Sequence, residues 1–269
     1  MIPQIIHYCW FGGNPLPDSA VKCIDSWKKY LPDYEIKEWN ESNFDVNMIP
    51  YTAEAYRLKK YAFVSDYARF YVLYRYGGLY FDTDVEVIKN MDDIIARGPF
   101  MGCEPNGYTD QVSLTDNKDK LNNGTPLLGV GVAPGLGLGV NPGLGLFKSI
   151  LKFYESHHFT DWLGVRQGNV VSITTDILKS FQIETKGDGI MKCGPVYVYS
   201  PEYFCPKNYY TGDLSITNNT VSIHHYSATW VPKQESILKK ISRRLSFSLS
   251  RLLTSLRIYK TPAKPYACE

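Results

Sequence analysis

Two aspartates one residue apart, Asp82 and Asp84, end the run Gly77-Gly78-Leu79-Tyr80-Phe81, and Val85 and Val87 continue its apolar character. In an extended backbone successive side chains alternate faces, so both carboxylates are expected on one side of a strand. Like charges placed this way repel unless a cation sits between them. Carboxylate oxygens suit Mg²⁺ or Mn²⁺, and such an ion would bridge to a diphosphate. An Asp-x-Asp triplet arises by chance about once in a chain of this length. The apolar run leading into it is what singles this one out.

Three more clusters carry residue types able to do chemistry. In Ser65-Asp66-Tyr67-Ala68-Arg69, Asp66 and Arg69 are three apart and become neighbours on a helix. On a surface such a pair contributes little, but held rigidly beside a buried strand it is an acceptor for sugar hydroxyls. His224 and His225 are adjacent, so on a strand they point to opposite faces and one of them at most meets a given metal. Trp10, followed by Phe11-Gly12-Gly13, closes the first strand. That is where open α/β sheets bind nucleotides, although a core tryptophan would read the same way.

These groups need a scaffold, and the hydrophobic periodicity predicts an α/β one. A strand over residues 2–10 is followed by turn residues, a helix from Asp18 or Ser19 to about Tyr30, and a strand over residues 34–39. Helices are expected from about Ala53 and over Val64–Tyr76, with Gly77-Gly78 ending the second, and Met91–Ala96 is a further segment without an assigned type. A strand is expected near Phe100-Met101-Gly102. Residues 124–146, rich in Gly, Pro and Leu, read as a flexible or closely packed loop around a buried strand. A helix over Phe147–Glu155, a loop holding Thr174-Thr175 before a short helix, and strands near Val196–Tyr199 and Val221–His225 complete residues 1–232 as one domain. Residues 233–269 form a separate tail. Within it Ile237, Leu238, Ile241, Leu245, Leu249, Leu252, Leu253 and Leu256 recur at helical spacing among lysines and arginines without an acid. A basic amphipathic helix over 236–260 of this kind fits an anionic membrane surface, or a partner or its own domain.

With 269 residues the chain can bury a sizeable core. A net charge of +2 gives no nucleic-acid footprint. The strand-like start lacks the marks of a secretory signal, and no apolar stretch nears the ~20 residues that span a bilayer. The six cysteines lack metal-ligand spacing and are expected as reduced thiols. The expected location is cytoplasmic, peripheral on the inner face of the cell membrane.

Taken in order, the stretch at 2–13, Ser65-Asp66-Tyr67-Ala68-Arg69, Gly77 to Asp84, and His224-His225 with Trp230 resemble glycosyltransferase family 32. That family contains DXD sugar transferases, many bacterial members of which serve capsule or lipopolysaccharide synthesis. The resemblance spans residues 2–232. It implies a GT-A fold, a central mixed sheet flanked by helices, and metal-dependent, retaining transfer of a sugar from a nucleotide-sugar. A UDP-sugar is favoured over a GDP-sugar, and the acceptor is a glycan or lipid-linked glycan. By position Asp84 would ligate Mn²⁺ or Mg²⁺ and Asp82 would contact ribose, sugar or metal. His225, rather than His224, would be the histidine ligand, while Asp66 and Arg69 would hold the donor sugar. Tyr8, Trp10, Phe11 and Gly12 would lie on the nucleotide side, and Trp230 would close over the diphosphate. Thr229 stands where the family's closing motif usually has serine, and the repeat at 134–146 is atypical, so no donor contact is carried onto Asn141.

Two rival readings use the same residues. A haloacid-dehalogenase-like phosphatase would use Asp82 as nucleophile, but Glu86 departs from its motif and the first eighty residues would have no role. A non-catalytic carbohydrate-binding protein on a transferase fold would keep the site without turnover. Glycoside hydrolysis fits poorly, since its carboxylates flank the bond from ~5 Å or more apart.

Overall fold

The computed structural model describes residues 1–105, 130–160, 169–185, 190–209 and 211–227. The N-terminal strand-helix-strand unit forms as the periodicity predicts. β1 (Ile5–Cys9) and β2 (Glu35–Trp39) lie parallel, Ile6 opposite Ile36, with α1 (Asp18–Tyr30) as their crossover. Next come α2 (Pro50–Arg57), α3 (Tyr61–Tyr76), β3 (Gly78–Tyr80), β4 (Val85–Val87), α4 (Asp92–Arg97) and β5 (Phe100–Pro105). After them follow β6 (Val130–Val132), β7 (Leu138–Val140), α5 (Gly145–Glu155), α6 (Val170–Leu178), β8 (Ile183–Thr185), β9 (Met191–Cys193), β10 (Val196–Tyr199), α7 (Pro201–Phe204) and β11 (Ser222–His224).

The main sheet runs β2-β1-β3-β7-β5-β10-β9-β8, with β6 paired to β5. It is mixed, because β7 lies antiparallel to both β3 and β5 while β1 and β3 are parallel. β4 and β11 form a separate antiparallel pair. Strand alternation divides the interior into two cores on opposite faces of the sheet. Cys9, Tyr80, Met101 and Cys103 pack with α2, α3, α5 and α6. Ile6, Tyr8, Leu79 and Phe100 pack with α1, α4, α7 and the small sheet. The fold is thus a central mixed sheet flanked by helices. No described helix is long and apolar enough to cross a membrane.

The expected elements appear in the expected order, with two departures, and β8, β9 and α7 add to them. Thr174 and Thr175 lie inside α6 rather than in a loop before it, because Asn169 caps that helix by accepting from the Ser172 N–H at 2.8 Å. The run into the aspartates does not continue as one strand: β3 stops at Tyr80, and β4 joins a different sheet. The 136–140 part of the glycine-rich stretch is packed, its residues buried around β7. The cationic helix expected over 236–260, the 233–269 tail and Trp230 lie outside the described residues.

α3 is buried on nearly all sides from Val64 to Leu73. A helix so enclosed must partner its polar side chains internally, which is why Ser65, Asp66 and Arg69 matter below. Gly77 ends it with φ +65, donating its N–H to Leu73 O at 2.8 Å, and a Cβ there would meet Pro142 at 2.7 Å. On β1, the fully buried His7 imidazole bridges this turn to β2. Trp39 Nε1–H donates to His7 Nδ1 at 3.0 Å, so the proton sits on Nε2 and is donated to Gly77 O at 2.9 Å. Burial, with a smaller push from Lys37, lowers the imidazole from 6.5 to about 4 against the bond to Gly77.

Between those values the unfolded chain binds a proton that the folded chain refuses, so stability rises with pH across the window and is lost as pH falls from 6.5 toward 4. At 1.36 kcal/mol per unit, about 2 kcal/mol should be lost between pH 7.5 and pH 5. Urea unfolding at both pH values measures it, and His7→Gln should flatten the difference. An unchanged slope in that variant would remove His7 as the cause.

Candidate active site

Arg69 is the centre of the site. It is 4% exposed, and Asp66 is 6% exposed, so the pair is no solvated surface contact. Its Nε–H donates to Ser65 O at 3.1 Å, and its Nη2 donates to Asp66 Oδ1 at 3.0 Å and lies 3.4 Å from Asp82 Oδ1. The guanidinium rests 4.9 Å over the Tyr80 ring, whose hydroxyl donates to the same Asp82 oxygen at 3.1 Å. Burial disfavours the charged guanidinium, but Asp82, Tyr80 and Asp66 override it and raise its pKa. One cation therefore serves two carboxylates, and both stay positioned by it.

The two aspartates do not share an extended strand. The Val85 N–H donates to Asp82 O at 3.0 Å, closing a turn over Asp82–Val85, and the Asp82 N–H donates to Gly135 O at 2.9 Å. This turn carries the chain from the main sheet into the small one. It also sends the two carboxylates to different partners. Asp82 faces α3, whereas Asp84 is clasped by the C-terminal end of β11. Asp84 Oδ2 accepts the Ser227 N–H at 2.8 Å, Asp84 O accepts the His225 N–H at 2.9 Å, and His224 Nε2 lies 3.2 Å from Asp84 Oδ1. Burial would raise the Asp84 carboxyl, but the His224 imidazole and the Ser227 N–H hold it below its ordinary range. His224 moves the opposite way: burial lowers it, and the Asp84 charge raises it well above an ordinary histidine.

The histidine expected as a ligand, His225, turns instead to Glu86, with Nε2 2.8 Å from Oε2. Alternation on β11 puts adjacent histidines on opposite sides, and pairing with β4 brings His224 to the Asp84 side (His224 opposite Val85). His224 is thus the histidine at the aspartate. Of the residues expected on the nucleotide side, Trp10 is half-buried and donates Nε1–H to Asn14 O at 2.6 Å. Gly12, in the left-handed region at φ +100, donates its N–H to Glu41 Oε1 at 2.6 Å. Phe11 and Tyr8 are core residues instead. Phe11 packs edge-on to Phe44 at 5.6 Å, and Tyr8 packs on Trp27 at 5.9 Å with its hydroxyl donating to Glu38 at 2.6 Å. Their aromatic types satisfy the two sheet faces, so neither ring is open to a base.

Gly135 was not singled out by sequence. A Cβ on it would fall 1.9 Å from Asp82 Oδ2 and 3.0 Å from Arg69 Nη1. In the sequence it is one glycine of the Gly-, Pro- and Leu-rich stretch read as a flexible or closely packed loop. Gly135→Ala should push the Asp82 carboxylate off Arg69, costing about 1–3 kcal/mol in stability and ~10²-fold in rate through misplacement. Melting and turnover measured together check this, and turnover within threefold of the parent would refute it.

Among the described residues no group of three or more His, Cys, Asp or Glu forms a metal cage. The donors present are nevertheless hard carboxylate oxygens on one turn, Asp84 foremost. Mg²⁺ is commonly held by one or two carboxylates with substrate phosphates and water completing its shell. The donor set fits an ion held jointly with a diphosphate and does not fit a protein-only site.

Residues 17–101, which contain Asp66, Arg69, Asp82 and Asp84, match a family model described as a glycosyltransferase sugar-binding region containing a DXD motif. Inositol phosphoceramide mannosyltransferase 1 of Schizosaccharomyces pombe is 28% identical over 121 residues, 40% of this chain and 36% of that protein. An uncharacterized glycosyltransferase of Acanthamoeba polyphaga mimivirus is 33% identical over 106 residues, 37% of this chain and 42% of its own. The chain thus spans less than half the length of these curated relatives. A solved galactosyltransferase, LgtC, in complex with donor and acceptor sugar analogues aligns with 90% of this chain and 95% of its own, at 12% identity and a TM-score of 0.43.

Proposed function

We propose that this chain is a metal-assisted, retaining glycosyltransferase of the GT-A kind, belonging with glycosyltransferase family 32. It moves a sugar from a nucleotide-sugar, UDP-linked in preference to GDP-linked, to a glycan or lipid-linked acceptor. The observation that carries this reading is the division of the Asp-x-Asp turn. Asp82 is tied to the buried Arg69–Asp66 pair, and Asp84 to His224 and the Ser227 N–H. One carboxylate is thereby set among fixed polar groups suited to sugar hydroxyls, and the other is set apart as the oxygen donor for a cation.

Asp84, with Asp82 beside it, would hold Mn²⁺ or Mg²⁺, and the bound ion would offset charge developing on the departing diphosphate. The protein's own contribution is positioning. Arg69 holds the Asp66 and Asp82 carboxylates in place, so that sugar hydroxyls can donate to them without moving either. Front-face departure and attack then need no protein nucleophile. The name of the fission-yeast relative favours a lipid-linked acceptor.

A donor screen with UDP- and GDP-sugars, read as release of the nucleoside diphosphate, tests the reading. Release that needs Mn²⁺ or Mg²⁺ and quickens with an added glycan acceptor is expected. Hydrolysis of a simple phosphoester without nucleotide would favour the phosphatase, and binding without release would favour the carbohydrate-binding protein.

A further inference from the structure

The chain turns sharply where β11 ends. His224 lies opposite Val85, and the His225 N–H donates to Asp84 O at 2.9 Å, which extends the ladder by one rung. Continued as a strand, the chain would carry residue 227 about 6–7 Å beyond that rung and away from Asp84. Instead Tyr226 has φ +54, and the Ser227 N–H comes back to Asp84, 2.8 Å from Oδ2. One left-handed residue thus lets two successive donors of the arm serve Asp84, one at its carbonyl and one at its carboxylate.

A tyrosine is costly in that position. Glycine takes a positive φ freely and asparagine or aspartate tolerates it, whereas a large side chain strains the backbone. Strain of this kind persists only where the surroundings over-determine it, and it collects at sites that hold ligands. Here the surroundings do so. The Tyr226 hydroxyl shares a hydrogen bond with Cys205 Sγ at 2.9 Å, and Cys205 is 3% exposed at the end of α7. The Tyr226 ring lies 4.8 Å from the Tyr209 ring and 4.2 Å from the His224 imidazole. The Lys207 ammonium donates to His225 O at 3.3 Å, so the carbonyl before the turn is held as well. Tyr226 therefore backs the imidazole beside Asp84 Oδ1 and places the N–H on Oδ2.

We propose that Tyr226 is a positioning residue of this site: its left-handed turn, locked by Cys205, presents the Ser227 N–H to Asp84 and so sets that carboxylate for the divalent ion held with the diphosphate. This rests on the transferase reading, and it gives a role to a residue that the Asp-x-Asp and histidine motifs leave without one. Hydrogen-bond partners behind a metal-binding group are worth about 10–100-fold in metal affinity.

Melting the full chain with a nucleoside diphosphate and rising Mn²⁺ gives the Mn²⁺ concentration for half-maximal protection, and urea unfolding without either measures the fold alone. Tyr226→Ala keeps the strain and loses every anchor of the ring. Its turn opens, and its Mn²⁺ requirement should rise about tenfold or more. Tyr226→Gly loses the same anchors but adopts the left-handed turn freely, so its requirement should fall between those of the parent and Tyr226→Ala. That order marks a backbone role, because glycine does no better than alanine at filling space. Tyr226→Phe removes only the bond to Cys205 and should raise the requirement about threefold, the size of one neutral hydrogen bond. Excess Mn²⁺ should restore sugar transfer in every variant that folds, and a loss it does not restore overturns the inference. So does Tyr226→Gly needing as much Mn²⁺ as Tyr226→Ala, or Tyr226→Phe matching the parent; the last comparison decides if Tyr226→Ala does not fold. A parent that no nucleoside diphosphate protects at any Mn²⁺ concentration overturns the transferase reading, and this inference with it.

Discussion

Asp84→Asn should fold like the parent and lose about 10³-fold or more in the rate of sugar transfer, several kcal/mol of transition-state stabilisation. The asparagine oxygen can still accept the Ser227 N–H that now meets Asp84 Oδ2 at 2.8 Å, so the clasp on the turn survives. What disappears is the negative charge that His224 and Ser227 hold available. Asp84→Ala should lose as much activity and also stability, because the largely buried His224 ring would be left without its acceptor, at about 1–3 kcal/mol, whereas the exposed Ser227 N–H can turn to water. Comparing the two variants separates chemistry from folding. Transfer by Asp84→Asn within tenfold of the parent would contradict the role given to that carboxylate.

The second large effect is on the fold. Arg69→Met keeps an unbranched, shorter side chain but removes the cation from between Asp66 and Asp82. Both partners are placed by it, at 3.0 Å and 3.4 Å, and Asp66 is as deeply buried as Arg69 itself. Removing one member of a buried pair strands the other's charge, and such losses run to about 3–5 kcal/mol. Asp66→Asn alone should cost less, since Arg69 keeps Asp82, Ser65 O and the Tyr80 ring as partners. Combining it with Arg69→Met should recover part of the loss, because the neutral amide needs no cation. Chemical denaturation of the two single variants and the double variant gives the coupling. Strict additivity would mean that Arg69 acts independently of Asp66.

The effect on activity has a different origin. Without Arg69 the Asp82 carboxylate retains only the Tyr80 hydroxyl among its described side-chain partners, and that one bond does not fix its orientation. The Asp82 half of the site would become mobile while the Asp84 clasp stayed in place. Donor binding should therefore weaken more for the nucleotide-sugar than for the bare nucleoside diphosphate.

Local sequence determined those features whose physics is complete within a few residues. The apolar alternation of β1 and β2, the stripe of α3, its end at Gly77 and the proximity of Asp66 to Arg69 all follow from the periods of strand and helix. The two-aspartate signal also marked the right turn. The assumption that both carboxylates share a face failed, because backbone bonding to Gly135 and pairing with β11 bend the chain between them. Neither partner can be inferred from the residues near the turn.

The tertiary structure decided everything that depends on which distant segments become neighbours. It selected His224 rather than His225 for Asp84, since the register of β11 on β4 determines which of two adjacent rings meets the aspartate. It placed Phe11 and Tyr8 in the two cores, using rings for packing that their types alone would equally offer to a nucleotide. It brought a glycine, Gly135 of the loop between β6 and β7, against Asp82 and Arg69. Residue type and spacing show what a side chain can do; strand order and register determine which partner it does it with.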